Sequence, residues 1–205
     1  MAHNDLEIEV KFYLHDHERL ERRLRELGAE IAVPRGHEIN LRFDTPNRDL
    51  SSSARVLRLR QDSAAIITYK GPAQTGQGVS ARTEIEIRVD DFSAARRLLE
   101  ALGYRVIAFY EKYRAIYRLD GLDVTLDELP YGAFAEIEGP DAPAIQAAAQ
   151  RLGLRWAARS LDSYLGLFAR LCAARGIDPA TPLSFDALAG MTLLPTDLGL
   201  EFADE

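Results

Sequence analysis

Glu7-Ile8-Glu9-Val10-Lys11 alternates without a break: carboxylate, apolar, carboxylate, apolar, ammonium. Successive side chains of a strand point to opposite faces. Glu7, Glu9 and Lys11 therefore share one face, and Leu6, Ile8, Val10 and Phe12 share the other. Like charges two residues apart repel unless water or a cation separates them. For one such strand alone, a solvated outer face is the simplest reading. The later strands decide whether it survives.

Working outward, Asp16 is placed to cap a helix over about His17 to Leu27, with Leu20, Leu24 and Leu27 as its apolar stripe and Gly28 as its stop. His37 to Asp44 alternates again, and Pro46 and Asn47 turn the chain. Val56 to Arg60 sets Arg58 and Arg60 on one face, and Asp62-Ser63 turns into Ile66 to Lys70. Gly71 to Ser80 reads as a loop, either hairpin or lid. It lacks the Gly-Lys-Ser/Thr ending of a P-loop. Arg82 to Val89 then restores the opening pattern, with Glu84-Ile85-Glu86-Ile87-Arg88, and a helix follows from about Phe92 to Leu102.

The recurrence of a strand of this type followed by a helix and a glycine suggests two related halves of one domain. The second half continues with a long strand from Tyr104 to Leu119, broken near Phe109, a turn at Asp120-Gly121, and strands over Leu122 to Asp127 and Phe134 to Glu138. Helices are expected over Ala142 to Leu152 and Leu161 to Ala173, the latter with Leu161, Leu165, Phe168 and Leu171 as its stripe. Beyond Gly176, Pro179, Pro182 and Pro195 interrupt the pattern, leaving room for one short helix near Phe185 to Ala189. The fold class is α+β: eight antiparallel strands closed into a barrel, helices outside, two pseudo-related halves. Helices cover the apolar faces only from outside, so the charged faces line the interior.

Composition removes several classes of function. The chain has 205 residues and a net charge of -7, which argues against sequence-independent nucleic-acid binding. Its single cysteine, Cys172, excludes internal disulfides and a cysteine zinc site. No apolar signal core opens the chain and no apolar run suffices to span a membrane, so the cytoplasm is the expected compartment. His15, His17 and His37 have no partner cluster in the sequence and read as peripheral.

Nearly every strand carries a charged pair at a two-residue interval: Glu7/Glu9, Arg58/Arg60, Glu84/Glu86, Lys112/Arg114 and Glu136/Glu138. Buried charges are costly unless paired or ligand-bound. A tunnel bearing both signs implies a ligand that satisfies both. Arginine forks suit phosphate oxygens, and carboxylates hold the divalent metals that bridge to phosphate.

These residues match a family. Glu7-x-Glu9-x-Lys11, Leu57-Arg58-Leu59-Arg60, Thr68-Tyr69-Lys70-Gly71-Pro72, Arg82-x-Glu84-x-Glu86, Lys112-x-Arg114, Leu126-Asp127 and Glu136-x-Glu138, in this order, resemble the CYTH domains, or triphosphate tunnel metalloenzymes. That family includes class IV adenylate cyclases, thiamine triphosphatases and inorganic triphosphatases. The resemblance sets residues 1–174 apart as the tunnel domain and 175–205 as an extension without an assigned role. It implies an end-on triphosphate with Mg²⁺ or Mn²⁺. Lys11, Arg58, Arg60, Lys70, Arg82, Lys112 and Arg114 would bind substrate; Glu7, Glu9, Asp127, Glu136 and Glu138 would hold metal. Glu9, Lys11, Arg60 and Glu138 would stand at the chemistry itself. Asn40-Leu41-Arg42-Phe43-Asp44 departs from the acidic and aromatic pattern of cyclase-like members. The expected activity is metal-dependent hydrolysis of inorganic triphosphate or of a small organic triphosphate (a nucleoside or thiamine triphosphate). The alternatives are a class IV cyclase making cyclic AMP and pyrophosphate from ATP, and a non-catalytic polyphosphate- or nucleotide-binding module. The expected partner is the small-molecule triphosphate, with no nucleic acid or membrane, and the protein is expected as a monomer or homodimer.

Overall fold

The computed structural model describes residues 6–205. The opening alternation forms β1 (Leu6–Leu14), with Val10, Phe12 and Leu14 buried on its apolar face. The elements follow as α1 (His17–Glu26), β2 (Glu30–Asp44), α2 (Asp49–Ser52), β3 (Val56–Gln61), β4 (Ala65–Lys70), β5 (Gln74–Gly76), β6 (Val79–Val89) and α3 (Phe92–Ala101). Then come β7 (Arg105–Leu119), β8 (Leu122–Leu129), β9 (Gly132–Glu138), α4 (Ala142–Arg151), β10 (Arg159–Ser160), α5 (Tyr164–Arg175) and α6 (Pro195–Leu198).

Eight strands close a ring in the order β1-β9-β8-β7-β2-β3-β4-β6, with β6 returning to β1. Every neighbouring pair is antiparallel. Closure removes the sheet edges that would otherwise template aggregation. Exchanging β1-α1-β2-β3-β4 with β6-α3-β7-β8-β9 maps each ring neighbour onto another. The near repeat in the sequence is thus a pseudo-twofold relation, with β1 beside β6 and β2 beside β7 on its axis.

The apolar faces pack outward, each under a helix. Val10, Phe12, Leu14, Val124 and Ile137 meet Leu20 and Leu24 of α1 and Ile145, Ala148 and Ala149 of α4. Leu41, Phe43 and Leu59 meet Ala95 and Leu99 of α3. Burying each large apolar side chain is worth about 1.5–3 kcal/mol, so these contacts fix which face turns inward. The helices start where short polar side chains accept an orphan backbone N–H. Asp16, Asp91, Asp141 and Ser163 cap α1, α3, α4 and α5.

Several elements differ from the pattern reading. β2 begins at Glu30, not His37; this exposed stretch contains Pro34 and Gly36 and is held by backbone pairing to β7. β7 runs unbroken through Phe109, and a register shift opposite Arg42 and Phe43 absorbs the irregularity. The Gly71 to Ser80 loop is a hairpin: β5 pairs with β6 through a turn with Gln77 at φ 51° and Gly78 at φ 80°. α5 begins at Tyr164, because Ser163 supplies the cap, and its buried face is Tyr164, Leu167, Phe168, Leu171 and Cys172. Leu161 lies outside that helix and is 37% exposed. Phe185 to Ala189 forms turns, and the late helix is α6, started by Pro195.

Residues 177–205 pack back onto the ring. Leu183, Leu188 and Leu198 join Tyr13, Tyr131, Phe134 and the α5 face in one cluster. The Ala203 amide donates to the Tyr13 carbonyl at 2.8 Å, and the Asp204 carboxylate accepts from the His15 and Asp16 amides, each at 2.8 Å. Among the described residues, no helix is long and apolar enough to cross a membrane.

Candidate active site

The inward faces of the ring enclose a cavity of about 510 Å³. Nine cationic side chains line it against five carboxylates, in a chain whose net charge is -7. The lining includes Glu7, Glu9, Lys11, Arg58, Arg60, Lys70, Arg82, Lys112, Arg114, Glu136 and Glu138, brought together from six strands. Glu86 also lines it, while Glu84 and Asp127 lie outside the lining.

Three charge groups divide the wall. On β1 and its neighbours, Lys11 Nζ lies 2.7 Å from Glu9 and 3.1 Å from Glu136. Lys70 Nζ lies 2.7 Å from Glu7 and 2.9 Å from Glu84. Arg82 bridges Glu7 at 3.1 Å and Glu9 at 3.2 Å. Burial alone would raise the Glu7 carboxyl, but Lys70 and Arg82 outweigh it and hold it at about 2. Glu84, sharing Lys70 with Glu7, is pushed up to about 7 by burial and by that neighbouring carboxylate. For Lys11, Glu136 and Glu9 overcome burial and raise the ammonium.

The second group is the most buried. Asp127, fully inaccessible, accepts from Lys112 Nζ at 3.1 Å, Arg114 Nε at 2.7 Å and the Tyr164 hydroxyl at 2.7 Å. Arg114 also reaches Glu136, and Lys112 lies 3.6 Å from Glu38. Burial opposes ionisation of Glu38, yet Lys112 and Arg114 bring it down to about 2. The Tyr164 ring lies under both Lys11 and Lys112, at 5.5 and 5.1 Å. Asp127 thus anchors the cations from behind the wall, its oxygens already taken up by three donors.

The third group, on β2, β3, β4 and β6, is cation-rich. Arg58 donates to Thr68 at 3.2 Å, and Thr68 donates to Glu86 at 2.7 Å. Arg60 approaches Asp62 at 3.4 Å and Glu86 at only 3.9 Å. The buried Nε atoms of Arg42, Arg58 and Arg60 have no hydrogen-bond partner among the described residues. Orphaned buried donors are costly and call for a ligand acceptor.

Glu138 stands opposite Glu9 on β1 and Asp123 on β8. Burial and then Glu7 and Glu9 raise it to about 7. A cation among Glu7, Glu9, Glu136 and Glu138 would relieve this repulsion, so the donor set fits a hard divalent metal. No three carboxylates or histidines form a ready-made cage among the described residues, because lysines and arginines occupy their oxygens.

Sequence reasoning missed Arg42, Glu38, Tyr110 and Tyr164 as parts of this site. Glu38, Asn40 and Arg42 had a signal, the two-residue alternation along β2, whose inward face only the ring establishes. Tyr164 had no periodic signal, since a helix start aimed into a barrel leaves none.

A family model for the CYTH domain matches residues 5–154. A putative adenylate cyclase of Methanocaldococcus jannaschii is 27% identical over 135 residues, 65% of this chain and 76% of that protein. A putative adenylate cyclase from Vibrio parahaemolyticus superposes with a TM-score of 0.71 at 25% identity, covering 78% of this chain and 95% of that one. A putative adenylyl cyclase from Hippeastrum, described as having a dominant triphosphatase activity, superposes with a TM-score of 0.60 at 20% identity, over 80% and 95% of the chains. Matched over most of its length, and closed into a ring whose inward face carries these charged pairs, the chain belongs to the CYTH domain family.

Proposed function

We propose that this protein is a divalent-metal-dependent triphosphatase acting on inorganic triphosphate or a small organic triphosphate. The observation that carries this reading is the lining itself: nine cations, several with unused donors, beside a carboxylate edge. Lys11, Arg58, Arg60, Lys70, Arg82, Lys112 and Arg114 bind phosphate oxygens. As they do so they exchange carboxylate partners for phosphate, which frees Glu7, Glu9 and Glu136. Glu7, Glu9, Glu136 and Glu138 would hold Mg²⁺ or Mn²⁺, which when bound would supply charge neutralisation and lower the pKa of water. Glu138, which has no cation partner among the described residues, takes the proton of the attacking water; Arg60 and Lys11 stabilise charge on the transferred phosphoryl oxygens. Asp127 keeps Lys112 and Arg114 in position.

A cyclase reading draws support from the names of the relatives. It requires a platform for a nucleobase. The two aromatic residues of the lining, Tyr110 and Tyr164, are both buried, and Tyr164 is committed to Asp127. Hydrolysis is therefore the better fit. The test is phosphate release from tripolyphosphate with Mg²⁺ or Mn²⁺, and a loss of about 10²-fold or more in Glu9→Gln and Arg60→Ala. No release by wild type, or no loss in the variants, sinks the proposal. With ATP, hydrolysis yields ADP and phosphate, whereas cyclic AMP and pyrophosphate would establish the cyclase. Tight binding without turnover under either metal would mark a binding module.

A further inference from the structure

The CYTH match ends at residue 154, yet the chain beyond α5 reaches the cavity wall. β8 pairs with β7 from Tyr113 to Leu119, so ahead of Tyr113 no strand flanks β7 on that side among the described residues. One residue of the tail takes that place. Leu183 forms a parallel bridge with Tyr110: its amide donates to the Phe109 carbonyl at 3.3 Å, and its carbonyl accepts from the Glu111 amide at 3.1 Å. Leu183 has no exposed surface and shares one buried cluster with Tyr110 and Tyr164. Two residues on, the Phe185 amide donates to the Glu111 carboxylate at 2.9 Å, whose other oxygen lies 2.8 Å from His37 Nε2 on β2. The Phe185 ring lies 5.4 Å from that of Tyr113. The tail thus grips β7 on both sides of Tyr110.

Tyr110 is the gripped residue whose side chain lines the cavity. Across the ladder it stands opposite Asn40, and Asn40 stands opposite Arg60, so the three form one row on the inner wall. Side chains directly opposite in such a row have Cβ atoms about 4.5–5.5 Å apart. Arg58 is the next inward residue of the Arg60 strand. Burial would lower its guanidinium, but Tyr110 and then Glu38 outweigh burial and raise it. The contacts that hold Arg58 within the wall, Thr68 at 3.2 Å and Glu86 at 3.5 Å, are longer than the roughly 2.7–2.9 Å of a firm charge-assisted bond. Its Nε has no hydrogen-bond partner among the described residues. A guanidinium held this loosely takes its direction from the phenol beside it.

Resting on the triphosphatase reading, we propose that the tail is a working part of the active site: Leu183, with the Phe185–Glu111 contact, is a positioning residue that fixes Tyr110, and Tyr110 aims Arg58 at phosphate. The far end of the tail is anchored at the end of β1 through Ala203 and Asp204, so Leu183 is held from both directions along the chain.

Calorimetric titration of the full chain with tripolyphosphate in EDTA reads this coupling without turnover. Leu183→Ala should weaken binding about tenfold, the worth of one charge-assisted contact, and Leu183→Met, which keeps the volume, should restore most of it. Tyr110→Phe keeps the ring, deletes the hydroxyl and should weaken binding by a similar factor. In the Tyr110→Phe background, Leu183→Ala should then cost less than about twofold, because both changes act through the same phenol. Glu111→Ala removes the acceptor of the Phe185 amide, should show the same dependence on Tyr110, and stands in if Leu183→Ala fails to fold. A tail that only supports the fold would lower the urea midpoint and leave the affinity unchanged, or would cost the same factor in both backgrounds. Either result overturns the proposal. Coupling without phosphate release under either metal leaves the role of the tail and removes the hydrolase. Phosphate release without coupling does the reverse, and no binding by wild type removes both.

Discussion

Asp127→Asn tests the claim that this carboxylate organises the cavity from behind. The substitution keeps the shape, removes the charge and turns an amide N–H₂ toward donors. Lys112, Arg114 and Tyr164 all donate to Asp127, at 3.1, 2.7 and 2.7 Å, and it has no exposed surface. Breaking a buried ion pair by removing one partner costs roughly 3–5 kcal/mol. Glu38 remains near Lys112, and Glu136 remains on Arg114, so the lower end applies, about 3 kcal/mol. That is roughly a hundredfold in the folding equilibrium, or about 6–12 °C in Tm for a chain of this size. Urea unfolding in EDTA measures it, with a repeat in tripolyphosphate, where phosphate supplies the missing negative charge and the loss should shrink. A loss below about 1 kcal/mol in EDTA would refute the reasoning. A variant that is neutral in EDTA but has lost its stabilisation by Mg²⁺ would instead make Asp127 a metal ligand.

Tyr164→Phe removes one hydrogen bond to the same carboxylate and should cost about 2 kcal/mol by urea unfolding, with the cation–π contacts retained. Stability should depend on pH in two opposed windows. Glu7 and Glu38, held at about 2, stabilise the fold above their unfolded pKa, and that contribution is lost as pH falls from about 4.5 toward 2. Glu84, raised to about 7, acts oppositely: its contribution is present below about 4.5 and lost as pH rises through 7. Glu84→Gln should therefore gain Tm relative to wild type between pH 5 and 8, and a flat difference across that range would contradict the assignment. Asp204→Ala frees two backbone amides at the start of α1 and should cost about 1 kcal/mol, read as a lower urea midpoint.

Much of the architecture was legible one strand at a time. The alternation in Glu7 to Lys11 assigned two faces to β1, and a helix stripe such as Leu20 and Leu24 showed that something covers the apolar one. Charged pairs on five strands then implied a charged interior, since that many buried groups require partners. Helix starts were readable where a short polar side chain caps them, as at Asp16 and Asp91, because capping is local. The start of α5 differs from the pattern because Leu161 extends the apolar spacing, whereas the Ser163 cap starts the helix only at Tyr164.

The two-residue period names a face but not a neighbour. It could not separate Arg58, which meets phosphate-sized space, from Asp127, which lies on an inward strand position yet behind three donors. Nor could it place Arg42 against Arg58, because cross-strand register is set by ring closure and by the shift opposite Phe43. The sequence by itself determined which side chains turn inward, because burial of the apolar faces leaves them no other direction. Only the tertiary structure decided which inward charges meet, which of them neutralise one another, and which arginines remain for a ligand to pair.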